Sequence, residues 1–136
     1  MSVKSNASEL EPITVLGAGS WGTALALQLA KKNRIVNLWG RESENINNLM
    51  QLRENKQYLP KFSLPKNIII FSDFNAALQN AKEVLIAVPS DGLRGILLQM
   101  KAFHKDFDIW WASKGFEVST GLLPHNICEE IFGEDQ

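Results

Sequence analysis

The 136-residue sequence has little cysteine, little histidine and no long apolar run. Its single cysteine, Cys128, cannot form an internal disulfide, which excludes a secreted scaffold held together by disulfides. The two histidines, His104 and His125, belong to no recognisable metal-binding motif, so no metal site is expected. No apolar stretch approaches the ~18 residues that a membrane-spanning helix needs. These absences favour a globular protein of a reducing, cytoplasmic compartment.

The sequence also has almost no net charge. Fourteen basic and fifteen acidic residues leave a formal net charge of −1, and 45% of the residues are hydrophobic. This balance gives no positive field that would attract nucleic acid or anionic lipid, so neither is expected as a partner. Residues 1–11 are polar, lack the apolar segment of a signal peptide and show no period. We expect them to form a flexible tail before a single domain over residues 12–136.

Short β-type runs alternate with helical patterns along this domain. The runs predict five strands, at residues 13–16, 35–39, 68–71, 84–88 and 108–112. The alternation predicts an α/β fold, a Rossmann-like doubly wound parallel sheet with helices on both faces. Residues 58–65 contain two prolines and predict an ordered loop. Because ligands of such sheets bind beyond the carboxyl ends of the strands, the loops starting at Gly17, Gly40, Pro89 and Ser113 should converge on one crevice.

A glycine motif follows the first predicted strand. Residues 17–22 read G-x-G-x-x-G and open a helix, which is the context in which this motif indicates dinucleotide binding. Gly17 permits the tight turn, Gly19 lets the backbone approach a pyrophosphate, and Gly22 lets the helix pack on the strand. The amides of Ser20 and Trp21 then face the phosphates with the positive end of the helix dipole. The alternative is a glycine-rich turn that binds nothing.

The end of the second predicted strand bears on the choice of dinucleotide. Domains that prefer NAD often carry an acid there, about twenty residues past the glycines, which binds the ribose hydroxyls. Here Arg41 stands nineteen residues after Gly22, and Glu42 follows it. A guanidinium suits an adenosine 2′-phosphate as a charge and as a bidentate donor. Arg41 therefore favours NADP(H), whereas Glu42 keeps NAD(H) possible; a surface arginine without a ligand is the alternative.

Two further segments follow predicted strands at the same edge of the sheet. Val88-Pro89-Ser90 ends the fourth strand. This segment is either a plain strand end or one that also exposes backbone where a nicotinamide ribose would pass. Lys114 follows the fifth strand, where an ammonium would suit an anionic substrate or a developing alkoxide. Taken alone, a solvated loop lysine explains Lys114 better.

Five motifs in this order resemble a known family. They are Gly-Ala-Gly-Ser-Trp-Gly-Thr-Ala at 17–24, Leu-Trp-Gly-Arg at 38–41, Tyr-Leu-Pro with Leu-Pro at 58–65, Val-Pro-Ser at 88–90 and Ser-Lys-Gly at 113–115. From about Ile13 onward the chain resembles the N-terminal domain of the bacterial-type NAD(P)-dependent glycerol-3-phosphate dehydrogenases. Sister dehydrogenases share the glycine loop but lack its tryptophan and the Tyr-Leu-Pro loop. The family interconverts dihydroxyacetone phosphate and sn-glycerol 3-phosphate and feeds phospholipid synthesis.

The resemblance implies roles for matching positions. Besides the glycines, the residues implied to contact the cofactor are Ser20, Trp21, Arg41 and Tyr58. Lys114 is implied to lie beside the nicotinamide and to help hold the substrate. Two positions depart from the family pattern: Lys61 stands where a glycine usually follows Tyr-Leu-Pro, and Asp91-Gly92 replaces bulkier residues. The first departure could alter the loop, and the second puts the nicotinamide packing there in doubt.

The resemblance also implies what the chain should lack. Family members continue into a helical domain that carries the lysine general acid/base and most contacts to the substrate phosphate, and the full-length enzyme is implied to be a homodimer. This chain ends at Gln136, so we expect that domain to be absent and assign no general acid or base within the chain. The chain alone is therefore expected to bind cofactor without catalysis.

Two other hypotheses fit part of the pattern. A nucleotide-sensing regulatory module has a similar length and needs no catalytic residues, but it gives no role to the Tyr-Leu-Pro loop or to Lys114. A domain of another β-hydroxyacid-type dehydrogenase is disfavoured by Trp21 and by residues 58–65.

Overall fold

The computed structural model describes residues 11–103, 106–112, 117 and 119–133. Its elements in chain order are β1 (Ile13–Leu16), α1 (Ser20–Lys31), β2 (Val36–Trp39), α2 (Ser43–Leu52), β3 (Glu54–Asn55), β4 (Leu59–Ser63), β5 (Ile68–Phe71), α3 (Phe74–Leu78), β6 (Glu83–Ile86), α4 (Ser90–Lys101), β7 (Asp108–Trp111) and α5 (Pro124–Phe132). None of these helices has the length and hydropathy that a bilayer crossing would require. The five predicted strands and the helices between them are confirmed, with ends displaced by one or two residues.

Five of the strands form one parallel sheet in the order β5-β2-β1-β6-β7. From the central β1 the chain fills one side of the sheet with β2 and β5, then crosses to fill the other side with β6 and β7. The strands are aligned so that their last residues stand in one row, which runs Phe71, Trp39, Leu16, Ile86 and Trp111. The predicted doubly wound fold is therefore confirmed, and its switch of direction lies between β1 and β6.

Both faces of the sheet are buried at its central strand β1, as is usual for parallel sheets, whereas Trp110 and Trp111 on the edge strand β7 are exposed. Alternate residues of β1 serve opposite faces: Val15 packs in the cluster beneath α1 and α2, and Leu16 packs in the cluster beneath α3, α4 and α5. Both side chains are fully buried. Burial of one such side chain contributes about 1.5–3 kcal/mol, so these two clusters supply the main driving force for the fold. Cys128 lies in the second cluster, and burial raises the pKa of its thiol, which argues against a nucleophile.

An ion cluster fixes the connection between β7 and α5. The Arg94 guanidinium on α4 donates to both oxygens of Glu117, at 3.0–3.1 Å, and to Glu130 on α5 at 2.9 Å. The Glu117 side chain is 7% exposed, and Thr120 donates a further hydrogen bond to it. Donation by Arg94 and then by Thr120 lowers the pKa of the Glu117 carboxyl. Because a desolvated carboxylate needs such partners, the chain at Glu117 is held firmly against α4.

Residues 58–65 form more regular structure than the predicted loop. Here β4 pairs with β3 in an antiparallel hairpin, the β3–β4 hairpin, outside the main sheet. Pro60 is compatible with this strand because each strand of a two-stranded sheet has one edge without a partner. The base of the hairpin is fixed by Arg53, whose guanidinium donates to the carbonyls of Pro65 and Ile68 at 2.6 and 2.8 Å. The prediction of order was right, and the prediction of a loop was wrong.

Lys61, the residue that departs from the family pattern, adopts a left-handed backbone. Its φ is +73°, a region that disfavours every residue with a Cβ. The hairpin keeps this conformation because the Lys61 amide donates to the Glu54 carboxylate at 3.1 Å. The glycine that the resemblance leads us to expect at this position would adopt this φ without strain.

Replacing Lys61 with glycine is expected to stabilise the domain. The substitution removes the left-handed strain and keeps the amide bond to Glu54, so the free energy of unfolding should rise by up to about 1 kcal/mol. Lys56→Gly in the same hairpin is the matched control: it removes the same charge from a residue without positive φ. This control should lose about 0.5–1 kcal/mol. Urea unfolding of both variants measures the difference, and equal losses would contradict the strain argument.

Candidate functional site

A crevice lies above the row of strand ends, at the switch of strand order. Backbone hydrogen bonds extend the sheet by one residue beyond the row, from Gly17 N to Trp39 O (2.7 Å), from Ala87 N to Leu16 O (2.9 Å) and from Ala112 N to Ile86 O (2.8 Å). The loops that follow these residues form the walls. As predicted, the loops at Gly17, Gly40 and Pro89 reach one crevice; Ser113 lies outside the described residues.

Two adjoining cavities make up the crevice. The first, of about 520 Å³, extends from the glycine loop to the end of β2, where Arg41 and Glu42 line it. The second, of about 400 Å³, extends from Gly19 toward Ala112 at the end of β7, with Trp21 on its wall. Both cavities share Gly19 and residues 87–89. The crevice is therefore long, and the glycine loop lies at its middle.

Two glycines make the strand–helix turn possible. Gly17 has φ +123°, and a Cβ there would lie 2.7 Å from the carbonyl oxygen of Ala87. A Cβ on Gly22 would lie 1.7 Å from the carbonyl oxygen of Gly17. Real Cβ atoms do not approach backbone so closely, so both positions require glycine for reasons internal to the fold. The structural roles predicted for Gly17 and Gly22 are consistent with this geometry.

Gly19 differs from the other two glycines. Its φ is −78°, and a Cβ built there meets nothing within 4 Å. Neither backbone strain nor contact with other protein atoms therefore requires glycine at position 19, and the position borders open space. Helix α1 begins at the next residue, with no acidic side chain in its first turn and no side-chain cap. Its first amides therefore have no partner within the helix and no capping side chain, and a helix start of this kind can donate hydrogen bonds to an anion.

The first two residues of α1 have different surroundings. The Ser20 hydroxyl donates to the carbonyl of Tyr58 at 2.7 Å, which ties the helix start to the β3–β4 hairpin. Because that proton is used, Ser20 has its backbone amide as the donor for a ligand. The Trp21 side chain is 54% exposed, on the wall of the second cavity. A large exposed ring beside a cavity is typical of a ligand-contacting surface.

The far end of the first cavity is polar. Arg41 is exposed, and its guanidinium lies beside the start of α4. Its Nη2 atom is 3.5 Å from the position that a Cβ would take on Gly92. Among the described residues, no carboxylate forms a salt bridge with Arg41. The neighbouring Glu42 accepts a hydrogen bond from the Tyr58 hydroxyl. This hydrogen bond is the main cause of a raised pKa of Tyr58, and desolvation of the hydroxyl is the second cause.

Asn55 organises the crevice although no sequence pattern points to it. It is fully buried, and its amide donates to the Ala18 carbonyl and to the Thr23 hydroxyl, both at 2.8 Å. Its carbonyl oxygen accepts from the Tyr58 amide at 3.2 Å. One side chain thus joins the glycine loop, helix α1 and the hairpin. The contacts join residues 32 and 37 positions apart, which no local pattern reveals.

The remaining predicted residue, Lys114, lies outside the described residues. The structure describes both flanks of its segment, Ala112 in the second cavity and Glu117 in the ion cluster with Arg94. Asn45 is a further residue that sequence reasoning missed. It is 5% exposed and lines the first cavity from helix α2.

Comparison with known proteins identifies relatives over almost the whole chain. The family profile described as NAD-dependent glycerol-3-phosphate dehydrogenase N-terminus matches residues 12–136. The chain is 43% identical over 126 residues to a glycerol-3-phosphate dehydrogenase [NAD(P)+] of Herminiimonas arsenicoxydans, and 43% identical over 124 residues to that of Shewanella halifaxensis. These alignments cover 90% of this chain but only 38% and 37% of the relatives. The chain therefore spans little more than a third of the curated relatives it matches.

Solved structures give the same result. A crystal structure of glycerol-3-phosphate dehydrogenase from Coxiella burnetii superposes with a TM-score of 0.86 at 35% identity, over 92% of this chain and 38% of that one. The yeast enzyme superposes with a TM-score of 0.73 at 27% identity, over 91% of this chain and 40% of that one. The likeness thus extends to the backbone.

The two glycines of contrasting surroundings should respond differently to the same substitution. Gly22→Ala must displace the backbone of Gly17 and is expected to lower the free energy of unfolding by at least about 2 kcal/mol. Gly19→Ala meets no atom and an ordinary φ, so its stability should stay within about 1 kcal/mol of the parent chain. Thermal unfolding followed by circular dichroism measures both. Equal losses of stability would show that the turn is not built as described.

Proposed function

This chain belongs to the NAD-dependent glycerol-3-phosphate dehydrogenase family as its N-terminal, NAD(P)-binding domain, and from that premise we propose how its crevice works. One dinucleotide binds along both cavities, with its adenosine at Arg41, its pyrophosphate over Gly19 and its nicotinamide toward Ala112. The observation that carries this proposal is the length of the crevice, which crosses the switch of strand order with an uncapped helix terminus at its middle.

The residues of the crevice fit such a ligand. Open space at Gly19 and the free amides of α1 suit a pyrophosphate, because the helix terminus offers donors and a positive potential together. Gly17 and Gly22 support the site by permitting the turn. In our proposal the cofactor contacts come from Gly19, the amides of Ser20 and Trp21, and the side chains of Trp21, Arg41 and Tyr58.

We propose that NADP(H) is preferred and that NAD(H) also binds. The support is Arg41, which is exposed at the end of β2 and has no salt-bridge partner within the described part of the chain. A guanidinium can bind a 2′-phosphate with two parallel hydrogen bonds. An exposed pair of this kind is worth on the order of 1 kcal/mol, a several-fold preference rather than an absolute one.

The reaction proposed for the whole protein is that of its relatives. Dihydroxyacetone phosphate is reduced to sn-glycerol 3-phosphate, a precursor of phospholipids, in the cytoplasm. A reduced nicotinamide held in the crevice would supply a hydride, that is two electrons and one hydrogen, to the carbonyl carbon, and the second hydrogen would reach the oxygen as a proton. Lys114 would hold the anionic substrate beside the nicotinamide, while a lysine of a helical second domain would exchange the proton with the substrate oxygen. The whole enzyme is proposed to be a homodimer.

The preference should change with the charge at position 41. Arg41→Asp is expected to reverse or erase the preference for NADPH over NADH, because a carboxylate repels the 2′-phosphate and accepts from a ribose hydroxyl. Calorimetric titration of the 136-residue chain with each cofactor gives the ratio of dissociation constants. Identical titrations of the unmodified chain with both cofactors would refute the assignment.

Two controls separate this effect from others. Lys66→Asp makes the same charge change at the opposite end of the sheet, just before β5, and should leave the ratio unchanged. Gly19→Val places a side chain in the open space, where its Cβ meets no protein atom within 4 Å, and should abolish binding of both cofactors while the circular dichroism spectrum is retained. Retained affinity in Gly19→Val would place the pyrophosphate elsewhere.

Turnover should require more than this chain. We expect background oxidation of NADPH with dihydroxyacetone phosphate by the 136 residues alone, since acid catalysis and substrate orientation each contribute orders of magnitude to a rate. A chimera that joins these residues to the C-terminal part of the Herminiimonas arsenicoxydans relative should restore turnover. In that chimera Lys114→Ala should lower kcat at least about tenfold and weaken NADPH binding only mildly. Turnover by the short chain, or an unimpaired Lys114→Ala chimera, would overturn these roles.

A further inference from the structure

The charges around the adenosine end of the crevice do not by themselves favour an anion. Among the residues that the structure describes, three charged side chains line the first cavity, namely Arg41, Glu42 and Asp91. Their formal sum is negative, which opposes a 2′-phosphate. A preference for the phosphorylated cofactor therefore depends on where the carboxylates are held relative to Arg41.

One of these carboxylates is held by the β3–β4 hairpin. Glu42 is the chain neighbour of Arg41 and could pair with it, yet the two form no salt bridge. The Glu42 carboxylate instead accepts a hydrogen bond from the hydroxyl of Tyr58, sixteen residues further along the chain. Both partners of this bond line the cavity. The hairpin thus holds the carboxylate of Glu42, the residue that follows Arg41 in the sequence.

We propose that the Tyr58–Glu42 hydrogen bond determines cofactor specificity by keeping the Glu42 carboxylate off Arg41, which leaves the guanidinium open to the 2′-phosphate of NADP(H). The inference rests on the proposed function, since it concerns how the same crevice selects its ligand. Without the hydroxyl, Glu42 turns to Arg41 or to a ribose 2′-hydroxyl, and both arrangements favour NAD(H). Tyr58 acts here as a positioning residue for Glu42.

The backbone around Tyr58 allows its hydroxyl to be tested alone. The Tyr58 carbonyl accepts from Ser20 at 2.7 Å, and its amide donates to Asn55 at 3.2 Å. Neither bond involves the phenol, so Tyr58→Phe should leave the hairpin and the ring in place. Any change in specificity then reports the lost bond to Glu42.

The experiment is a double-mutant cycle on cofactor affinity. Dissociation constants for NADPH and NADH are measured by calorimetry for the parent chain, Tyr58→Phe, Glu42→Gln and the double variant. Tyr58→Phe is expected to lower the preference for NADPH by at least about threefold, and Glu42→Gln to raise it by a similar factor. In the Glu42→Gln background Tyr58→Phe should have no effect on the preference, because no carboxylate remains to be held.

A matched control tests whether charge alone explains the result. Glu44→Gln removes the same charge two residues further on, from an exposed position in the first turn of α2 that does not line the cavity. It should change the preference less than Glu42→Gln does. Equal effects of the two substitutions would overturn a role specific to Glu42.

The other outcomes are equally decisive. A Tyr58→Phe variant that keeps the parent preference, or that loses both cofactors equally, overturns the inference. A loss of preference that persists in the double variant would mean that the hydroxyl contacts the phosphate itself, and this also overturns it. If the parent chain binds neither dinucleotide, the proposed function fails; the inference alone fails if binding is normal and the cycle shows no coupling.

The hydrogen bond can also be observed without any cofactor. Tyr58 is the only tyrosine of the chain, so the ultraviolet absorbance of tyrosinate reports this residue alone. Donation to Glu42 raises the pKa of Tyr58 above its usual value, and Glu42→Gln should lower it. The titration is followed over the pH range in which circular dichroism shows an intact fold. Coincident curves for the two proteins over that range would show that the bond is not formed in solution.

Discussion

The crevice depends on one close backbone approach, that of helix α1 to the turn at Gly17. The carbonyl oxygen of Gly17 occupies the place where a side chain on residue 22 would begin, 1.7 Å from the ideal Cβ position. Only this approach lets the helix start directly beyond the end of β1 and aim its first amides along the crevice. Because the ends of five strands stand in one row, the same approach places the start of α1 where the two cavities meet, the first lined by Arg41 and the second by Ala112. A dense apolar core on both faces of the sheet keeps the turn in place.

The hairpin adds a second layer to this arrangement. A parallel sheet alone presents the glycine loop and the strand ends, but it does not close the side of the crevice that Arg41 lines. Asn55 connects the hairpin to the glycine loop through a fully buried amide, and Tyr58 carries the connection on to Glu42. A buried amide with all its partners satisfied favours one geometry strongly, because each alternative leaves a polar group without a partner. In our proposal the polar groups that select the cofactor, Arg41 and Glu42, are thus positioned by hydrogen bonds within the protein.

The sequence predicted the strands, the helices and the glycine loop because each has a local signal. Hydrophobic runs with β-branched residues identified the buried strands, and the position of the glycine motif between a strand and a helix identified the turn. The position of Arg41 also followed from its place at a strand end. The family match over residues 12–136 favours the glycerol-3-phosphate dehydrogenase domain over the two other hypotheses, the nucleotide-sensing module and the domain of another β-hydroxyacid-type dehydrogenase.

Other features had no local signal. Asn55 acts through partners 32 and 37 residues away, and the pairing of β3 with β4 depends on Arg53, which closes the hairpin base from the end of α2. Two prolines in residues 58–65 predicted a loop because they exclude a central strand, yet an isolated hairpin tolerates them. Lys61 was recognisable only as a departure from a family pattern. Its positive φ gives that pattern a physical meaning that composition and period could not supply.

A crystal structure of this chain with NADPH tests the central claim most directly. The account predicts a single dinucleotide along the crevice, with its pyrophosphate over Gly19 at the first amides of α1. The 2′-phosphate should lie within hydrogen-bonding distance of Arg41, and the Tyr58 hydroxyl should still donate to Glu42. A dinucleotide bound elsewhere on the sheet, or a 2′-phosphate directed away from Arg41 at full occupancy, would contradict it.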